Sequence, residues 1–159
     1  MANVLDKVQP KNKEQLKQLI DYAFKHNIYD LNFIDTSKIT NMSNLFINCE
    51  YDIDVSNWDV SNVTNMYRMF YCCKNFDCDL SNWNVSNVTD MYGMFTACEN
   101  FKGKGIENWD VSKVTDMRYM FYNCKNFNCD LSNWNTSKIK NMKCMFKGCN
   151  RLTIPNWYK

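Results

Sequence analysis

Between Val60 and Phe76 the chain reads VSNVTNMYRMFYCCKNF, and its apolar residues follow two successive periods. Met66, Met69, Phe70 and Cys73 fall at i, i+3, i+4 and i+7, the spacing of one helix face, and Thr64 or Ser61 can cap the start. The period then shortens to two, as Phe76, Cys78 and Leu80 alternate with Asp77 and Asp79, which predicts a short strand. Ser81-Asn82-Trp83 turns the chain, and Val85 and Val88 begin the pattern again. Close copies run over Thr36–Cys49, Val85–Phe101, Val111–Phe127 and Thr136–Cys149, at steps of about 24, 25, 26 and 25 residues.

Self-similarity at such a period marks stacked small units, and about 20–29 residues per unit is the range of a leucine-rich-repeat type of coil. The predicted fold is therefore an α/β repeat protein, a leucine-rich-repeat-like solenoid of about five coils, each a short parallel strand plus a short helix. Residues 35–159 form that repeat region, which ends in a partial C-terminal cap at Leu152–Trp157, with Pro155 protecting an open edge. Residues 1–34 differ. Leu16, Leu19, Ile20, Ala23 and Phe24 predict an amphipathic helix over about 12–26, N-capped by Asn12, that covers the open end of the first coil. Ile28 to Ile34 then leads in as a short strand.

Three residue columns recur as structural ladders. Asn57, Asn82, Asn108 and Asn133, with Asn156 at the end, are expected inside the bends, bonding backbone groups of neighbouring coils. Trp58, Trp83, Trp109 and Trp134 form an aromatic row that is core if it points inward and a sticky strip if it points outward. Its regularity favours packing. Cys49, Cys73, Cys98, Cys124 and Cys149 recur once per unit and read as reduced core thiols. The positions that vary between units are free to meet a partner: Tyr67, Arg68, Tyr92, Arg118, Tyr119 and Lys143.

Composition narrows the function classes. The 159 residues, 45% of them hydrophobic, suit one domain with a core. With one histidine, His26, on the N-terminal helix, no Ser-His or Cys-His constellation assembles, and phosphate-loop glycine patterns are missing, so no enzyme is read here. The nine cysteines include no C-x2-C pair, which leaves a cysteine-based metal or redox protein as an alternative and no cofactor as the expectation. A formal charge of +2 gives no argument for nucleic acid. No apolar run is long enough to span a membrane, and the first residues do not look like a signal peptide, so the chain as it stands reads as cytoplasmic. One asymmetry ignores the repeat. From Asn135 on there are Lys138, Lys140, Lys143, Lys147, Arg151 and Lys159 and no acid, a solvated end cap or a docking site for an anionic partner.

The motif D/N-V/T-S-x-V/I-T/K-D/N-M-x-x-M/L-F-x-x-C-x-x-F-x-x-D-L-S-N-W, over about residues 34 to 157, resembles the 25–26-residue repeat of bacterial surface proteins and lipoproteins in the BspA-like leucine-rich-repeat group, a family of unknown function. The Lys-rich lead-in Pro10–Ile34 is similar to that family's N-terminal part. The resemblance implies a right-handed solenoid, a role in adhesion or protein interaction, and a location at the cell surface or outside the cell. The expectation is a monomeric, non-enzymatic interaction scaffold with a protein partner. A purely structural spacer is the third reading.

Overall fold

The structure is a computed structural model and describes residues 7–159; the first six residues of the expected 1–34 segment lie outside the described residues. One helix forms, α1 (Lys13–Lys25), and its ends follow from local chemistry. Asn12 Oδ1 accepts from the Gln15 N–H at 3.0 Å, and Gln15 Oε1 accepts from the Lys11 N–H at 2.9 Å, a reciprocal cap. At the other end Asn27 adopts φ 58°, while Ile28 N–H reaches the Ala23 carbonyl and Asn27 N–H the Phe24 carbonyl. That is the Schellman arrangement, with asparagine tolerating the left-handed conformation. The helix buries Leu16, Ile20 and Ala23 and lies against the first repeat, where the Phe24 ring is 6.5 Å from Phe46 and Lys13 Nζ donates to Ser43.

The remaining described residues form no further helix, no strand and no sheet. The expected α/β leucine-rich-repeat-like solenoid of about five strand-plus-helix coils is therefore overturned, as are the strands at Ile28–Ile34 and Leu152–Trp157. In place of a sheet, the described residues show isolated parallel bridges between repeats: Asn41 to Asn65, Asn65 to Asp90, Asp90 to Asp116, and Asp116 to Asn141, with two more, Val8 to Ile34 and Asp30 to Asp54, near the start.

The reason lies in the Met-x-x-Met-Phe-x-x-Cys run. Met69 N–H bonds to the Met66 carbonyl and Cys73 N–H to Phe70, so each half of the run is a four-residue turn. Arg68 (φ 50°) and Cys72 (φ 60°) sit in the left-handed region and interrupt any helix. The same two columns are left-handed in every repeat: Asn44 and Asn48, Gly93 and Ala97, Tyr119 and Asn123, Cys144 and Gly148. Consecutive four-residue turns place apolar residues at i, i+3, i+4 and i+7 just as a helix does, so the hydrophobic pattern alone cannot separate the two.

The backbone donors released from helical bonding go to the next repeat. Met66, Arg68, Phe70 and Cys72 N–H groups bond to the carbonyls of Asp90, Tyr92, Met94 and Thr96 at 2.8–2.9 Å. The intervening donors are satisfied locally, Tyr67 N–H by Asn65 Oδ1 and Tyr71 N–H by the Arg68 carbonyl. The same bonding repeats from Met42 to Asn65, from Met91 to Asp116 and from Met117 to Asn141. Every donor of the run is accounted for, as a buried backbone requires. Around Phe76–Leu80 there is no such ladder. Leu80 N–H alone reaches the next repeat, at Lys104, and Asp79 folds back to accept from the Ser81 N–H at 3.0 Å, which ends the extended stretch.

Side chains above these turns form continuous columns. Phe46, Phe70, Phe95, Phe121 and Phe146 stack with centroids 5.4, 5.6, 5.7 and 5.8 Å apart and ring planes within 7° of parallel. Trp58, Trp83, Trp109 and Trp134 are buried in the core. Each indole N–H donates to a carbonyl one repeat earlier, Trp58 to Leu31, Trp83 to Val55, Trp109 to Leu80 and Trp134 to Ile106. A large apolar surface is thus buried without stranding its polar atom.

Glycine is required where repeats touch most closely. At Gly105 (φ 89°) an added Cβ would overlap the Ser81 backbone, whereas at Gly93 (φ 57°) it would meet side chains alone, the Thr96 hydroxyl at 3.2 Å and the Arg68 stem at 3.3 Å. Alanine already occupies a left-handed column at Ala97. Gly105→Ala should cost about 3 kcal/mol, combining positive-φ strain with a backbone clash, and Gly93→Ala only about 1 kcal/mol. Urea unfolding of the two variants checks the order.

Asp79 belongs to the turn that closes the repeat. The Lys104 ammonium, then the Ser81 hydroxyl and N–H, hold its carboxyl at about 2, below the usual 3.8. A depressed folded-state value gives stability that is present above the unfolded value and is lost as pH falls through the folded one. The contribution should disappear between about pH 4 and pH 2, and at this exposed site it is within about 1 kcal/mol. Asp79→Asn keeps the acceptor for Ser81, so acid titration of its unfolding should be flatter over that interval than the wild type's.

Candidate functional site

With core columns and turn carbonyls consumed by stacking, the two outward positions of each turn remain. In the first turn these columns are Ser43, Tyr67, Tyr92, Arg118, Lys143 and Asn44, Arg68, Gly93, Tyr119, Cys144. In the second turn the outward column is Ile47, Tyr71, Thr96, Tyr122, Lys147. Five of the expected surface residues, Tyr67, Arg68, Tyr92, Arg118 and Tyr119, come together on one face. Tyr67 and Tyr92 stack at 5.1 Å and 19°, and Tyr92 lies 5.7 Å from Tyr119. The Arg68 guanidinium carbon is 5.2, 5.1 and 5.4 Å from the rings of Tyr67, Tyr71 and Tyr92, and that of Arg118 is 5.0 Å from Tyr92. Lys143 and Lys147 extend the same columns by one repeat and are exposed. Lys140 does not. It ends the column in which the Thr64, Thr89 and Thr115 hydroxyls each donate to the threonine carbonyl one repeat earlier.

Tyr122 and Thr96 belong to this face and were not among the residues singled out from the sequence. Tyr119 and Tyr122 meet edge to face at 5.8 Å, and the Thr96 hydroxyl donates to the Tyr119 carbonyl at 2.6 Å. The signal for Tyr122 was available: it shares a column with Tyr71, four residues after the Arg118 position. Arg68, Tyr71, Tyr92, Thr96, Tyr119 and Tyr122 line a hollow of about 300 Å³. Gly93 shapes it. In the column where other repeats place a side chain, it leaves room for the Arg68 stem to lie across.

The two arginines differ electrostatically. Arg118 is held by Asp116 through both carboxylate oxygens, at 3.0 and 2.5 Å, and that carboxylate raises its pKa. The acid column carries Asp90 and Asp116 but Asn65 in the repeat of Arg68. Arg68 Nε is buried with no hydrogen-bond partner, and Arg68 joins none of the four ion pairs among the described residues. A larger hollow, about 670 Å³, lies over Asn48, Cys49, Glu50, Cys72, Lys74 and Asn75, but its polar groups are turned on one another, Asn75 donating to the Glu50 carbonyl at 2.7 Å.

The asparagine column is a correction. Asn57, Asn82, Asn108 and Asn133 are exposed, outside the bends. Two contacts to neighbouring repeats are present, Asn57 N–H to Asn32 Oδ1 at 2.8 Å and Asn82 Nδ2 to Asn57 Oδ1 at 3.4 Å. The bends are closed instead by Asp54, Asp79 and Asp130, each accepting from the N–H two residues on. A short side chain two residues before the turn amide reaches it without being buried.

The cysteine column lies in the core, and all nine thiols are free. The thiols of Cys73, Cys98, Cys124 and Cys149 donate to the phenylalanine carbonyl one repeat earlier, at 2.8–3.0 Å. They all point along the stack, which leaves no pair facing for a disulfide. Burial pushes all four up from 9.0, Cys149 to about 12 and Cys98 and Cys124 far enough to abolish thiolate at neutral pH. Among the described residues no three His, Cys, Asp or Glu side chains gather as metal ligands, and no helix is long and apolar enough to cross a membrane.

A turn-built repeat stack presenting a tyrosine–arginine face is the class of protein that this geometry defines. The chain belongs to the family described as "Mycoplasma protein of unknown function, DUF285", which matches it over residues 14–104 and 86–158. No curated protein and no solved structure is significantly similar to it.

The thiol geometry makes one chemical prediction. Iodoacetamide at pH 8 should label the half-buried Cys72 and Cys144 of the native protein at least tenfold faster than Cys98 and Cys124, with mass spectrometry reading each site, and urea should equalise them.

Proposed function

We propose that this protein is a non-enzymatic interaction scaffold and that its partner docks on the tyrosine–arginine face. The observation that carries the reading is the gathering of Tyr67, Tyr71, Tyr92, Tyr119 and Tyr122 with Arg68 and Arg118, in columns where the repeat imposes no core residue. Tyrosine and arginine are the residue types that concentrate binding energy at protein interfaces, because a rigid amphipathic ring gives contact area at little conformational cost. All seven are half-buried, so their rotamers are restrained before a partner arrives. The stack supplies rigidity, and the face supplies recognition.

The adhesion or host-interaction role and the surface location that accompany the BspA-like resemblance belong to this reading. A laterally stacked repeat with one sticky face suits attachment to another macromolecule. The single chain is taken as the binding unit. A cysteine-based metal or redox role has less in its favour, since the cysteine column is buried in core packing and its thiols are engaged by backbone carbonyls. A spacer role would leave the tyrosine clustering without a purpose.

The test is selection of a displayed random dodecapeptide library on the immobilised protein. Binders should lose at least about tenfold in affinity to Tyr92→Ala and to Tyr119→Ala, the scale of an interface anchor. They should be unchanged by Asn82→Ala, which alters the exposed asparagine column. Binders indifferent to both tyrosines would remove the reading.

A further inference from the structure

The face carries one charge that the fold does not answer. Arg118 has Asp116, and the equivalent acid column offers Asp90 in the next repeat back, but the position beside Arg68 is Asn65. A half-buried guanidinium held among three tyrosine rings, with a buried and unpartnered Nε and no carboxylate among the described residues within ion-pair distance, is a partly desolvated cation with donors left for an acceptor. It borders a hollow of about 300 Å³, the size of one side chain plus its flanking backbone. The next positions along the two tyrosine columns are Lys143 and Lys147, both exposed, in a C-terminal segment without a single acid.

The rings also say which anion fits. Tyr67 and Tyr92 cover one another's faces at 5.1 Å, and the two guanidinium groups occupy further ring faces. Sugars and nucleobases bind tyrosine by stacking on open faces, which Tyr67 and Tyr92 have used on one another and on the guanidinium groups. What it leaves outward is ring edges and phenol hydroxyls, none of which donates to a protein group on this face. Hydroxyls, a planar guanidinium and lysines beyond them match a carboxylate and the carbonyls of an extended peptide.

Resting on the interaction-face reading above, we propose that the hollow between Tyr71, Tyr92 and Tyr119 receives an aspartate or glutamate side chain of an acidic peptide segment, paired with Arg68, while Lys143 and Lys147 meet acids further along the same segment. The partner is thus an acidic stretch of another protein.

Peptides from the dodecapeptide selection, titrated against the whole chain, decide it. Enriched sequences should carry Asp or Glu. Their affinity should fall at least tenfold in Arg68→Gln, less in Arg68→Lys, and about threefold in Lys143→Gln/Lys147→Gln. It should weaken steadily as salt is raised from 50 to about 300 mM, the range over which surface attraction is screened. Arg118→Gln should matter less, its charge being already matched by Asp116. Arg68→Gln should melt within about 2 °C of wild type, since an unpaired cation is removed and the packing stem retained; a larger fall transfers the decision to Arg68→Lys and the salt titration. Peptides free of acids that still depend on Tyr92 and Tyr119 would overturn the carboxylate assignment and leave the interaction face standing. Binders indifferent to the tyrosines, or no binders at all, would remove both. Binding of sialyllactose or a single-stranded oligonucleotide that is lost in Arg68→Gln, in the absence of acidic peptides, would assign the site to a glycan or nucleic acid and overturn the peptide partner.

Discussion

The structure depends on where the amide N–H groups of one short run point. In an α-helix each donor would bond to the carbonyl four residues back in its own repeat; here the donors of Met66, Arg68, Phe70 and Cys72 cross to the carbonyls of the next repeat. The device is a left-handed residue at every fourth position, which closes each turn after one local hydrogen bond and turns the next donor along the stack. Eight of the ten such positions from Asn44 to Gly148 are not glycine, so strain of roughly 1 kcal/mol at each is carried by the inter-repeat bonds and by core burial. Stability of this kind is shared between neighbours, and a repeat has little to hold it when removed from the stack.

The same constraint explains the columns. Because each repeat lies in register on the next, a residue packs against its counterpart about 25 positions away, as when Phe70 stacks on Phe95 at 5.6 Å or Trp83 on Trp109 at 6.3 Å. A column must therefore be compatible with itself. Parallel phenylalanine rings satisfy that requirement, and so do thiols that all donate in one direction. The exposed columns are less uniform: they mix Tyr, Arg, Gly and Thr, or pair across repeats, as Lys125 does with Glu99 at 2.6 Å.

Core membership was legible in the sequence, and local conformation was not. Met66, Met69, Phe70, Cys73 and Phe76 are all fully buried, as their recurrence indicates. Helix and strand were nonetheless the wrong elements, because the i, i+3, i+4, i+7 spacing is shared by a helix and by two consecutive turns. Five of the ten left-handed positions, Asn44, Asn48, Gly93, Asn123 and Gly148, carry asparagine or glycine, but Arg68, Cys72, Ala97, Tyr119 and Cys144 break that signature along both columns. At α1 the reverse held: Asn12, Gln15 and Asn27 are standard terminal residues, and the helix ends where they stand. Five face residues were legible as the variable positions of the repeat. Tyr122 and Thr96 required the register of the second turn, and the exposed asparagines required the knowledge that aspartates close the bends.

The left-handed columns also explain why the proposed recognition face lies where it does. A turn whose donors are all engaged fixes its backbone but leaves the two residues between the apolar positions pointing out, with no packing partner to restrict their identity. Substitution there leaves the backbone-to-backbone hydrogen bonds between repeats untouched, since those use the main chain alone. Tyrosine, arginine and glycine can thus replace one another from repeat to repeat, as Arg68, Gly93 and Tyr119 do in one column. Glycine at the middle repeat leaves room for the stem of the arginine in the repeat before it, whose guanidinium lies among three tyrosines. A site arises on this surface through a difference between neighbouring repeats, not through a residue that all of them share. The feature that most distinguishes this chain's own face is such a difference: asparagine at Asn65 where the next two repeats place Asp90 and Asp116, which leaves Arg68 without a carboxylate at that position of its own repeat.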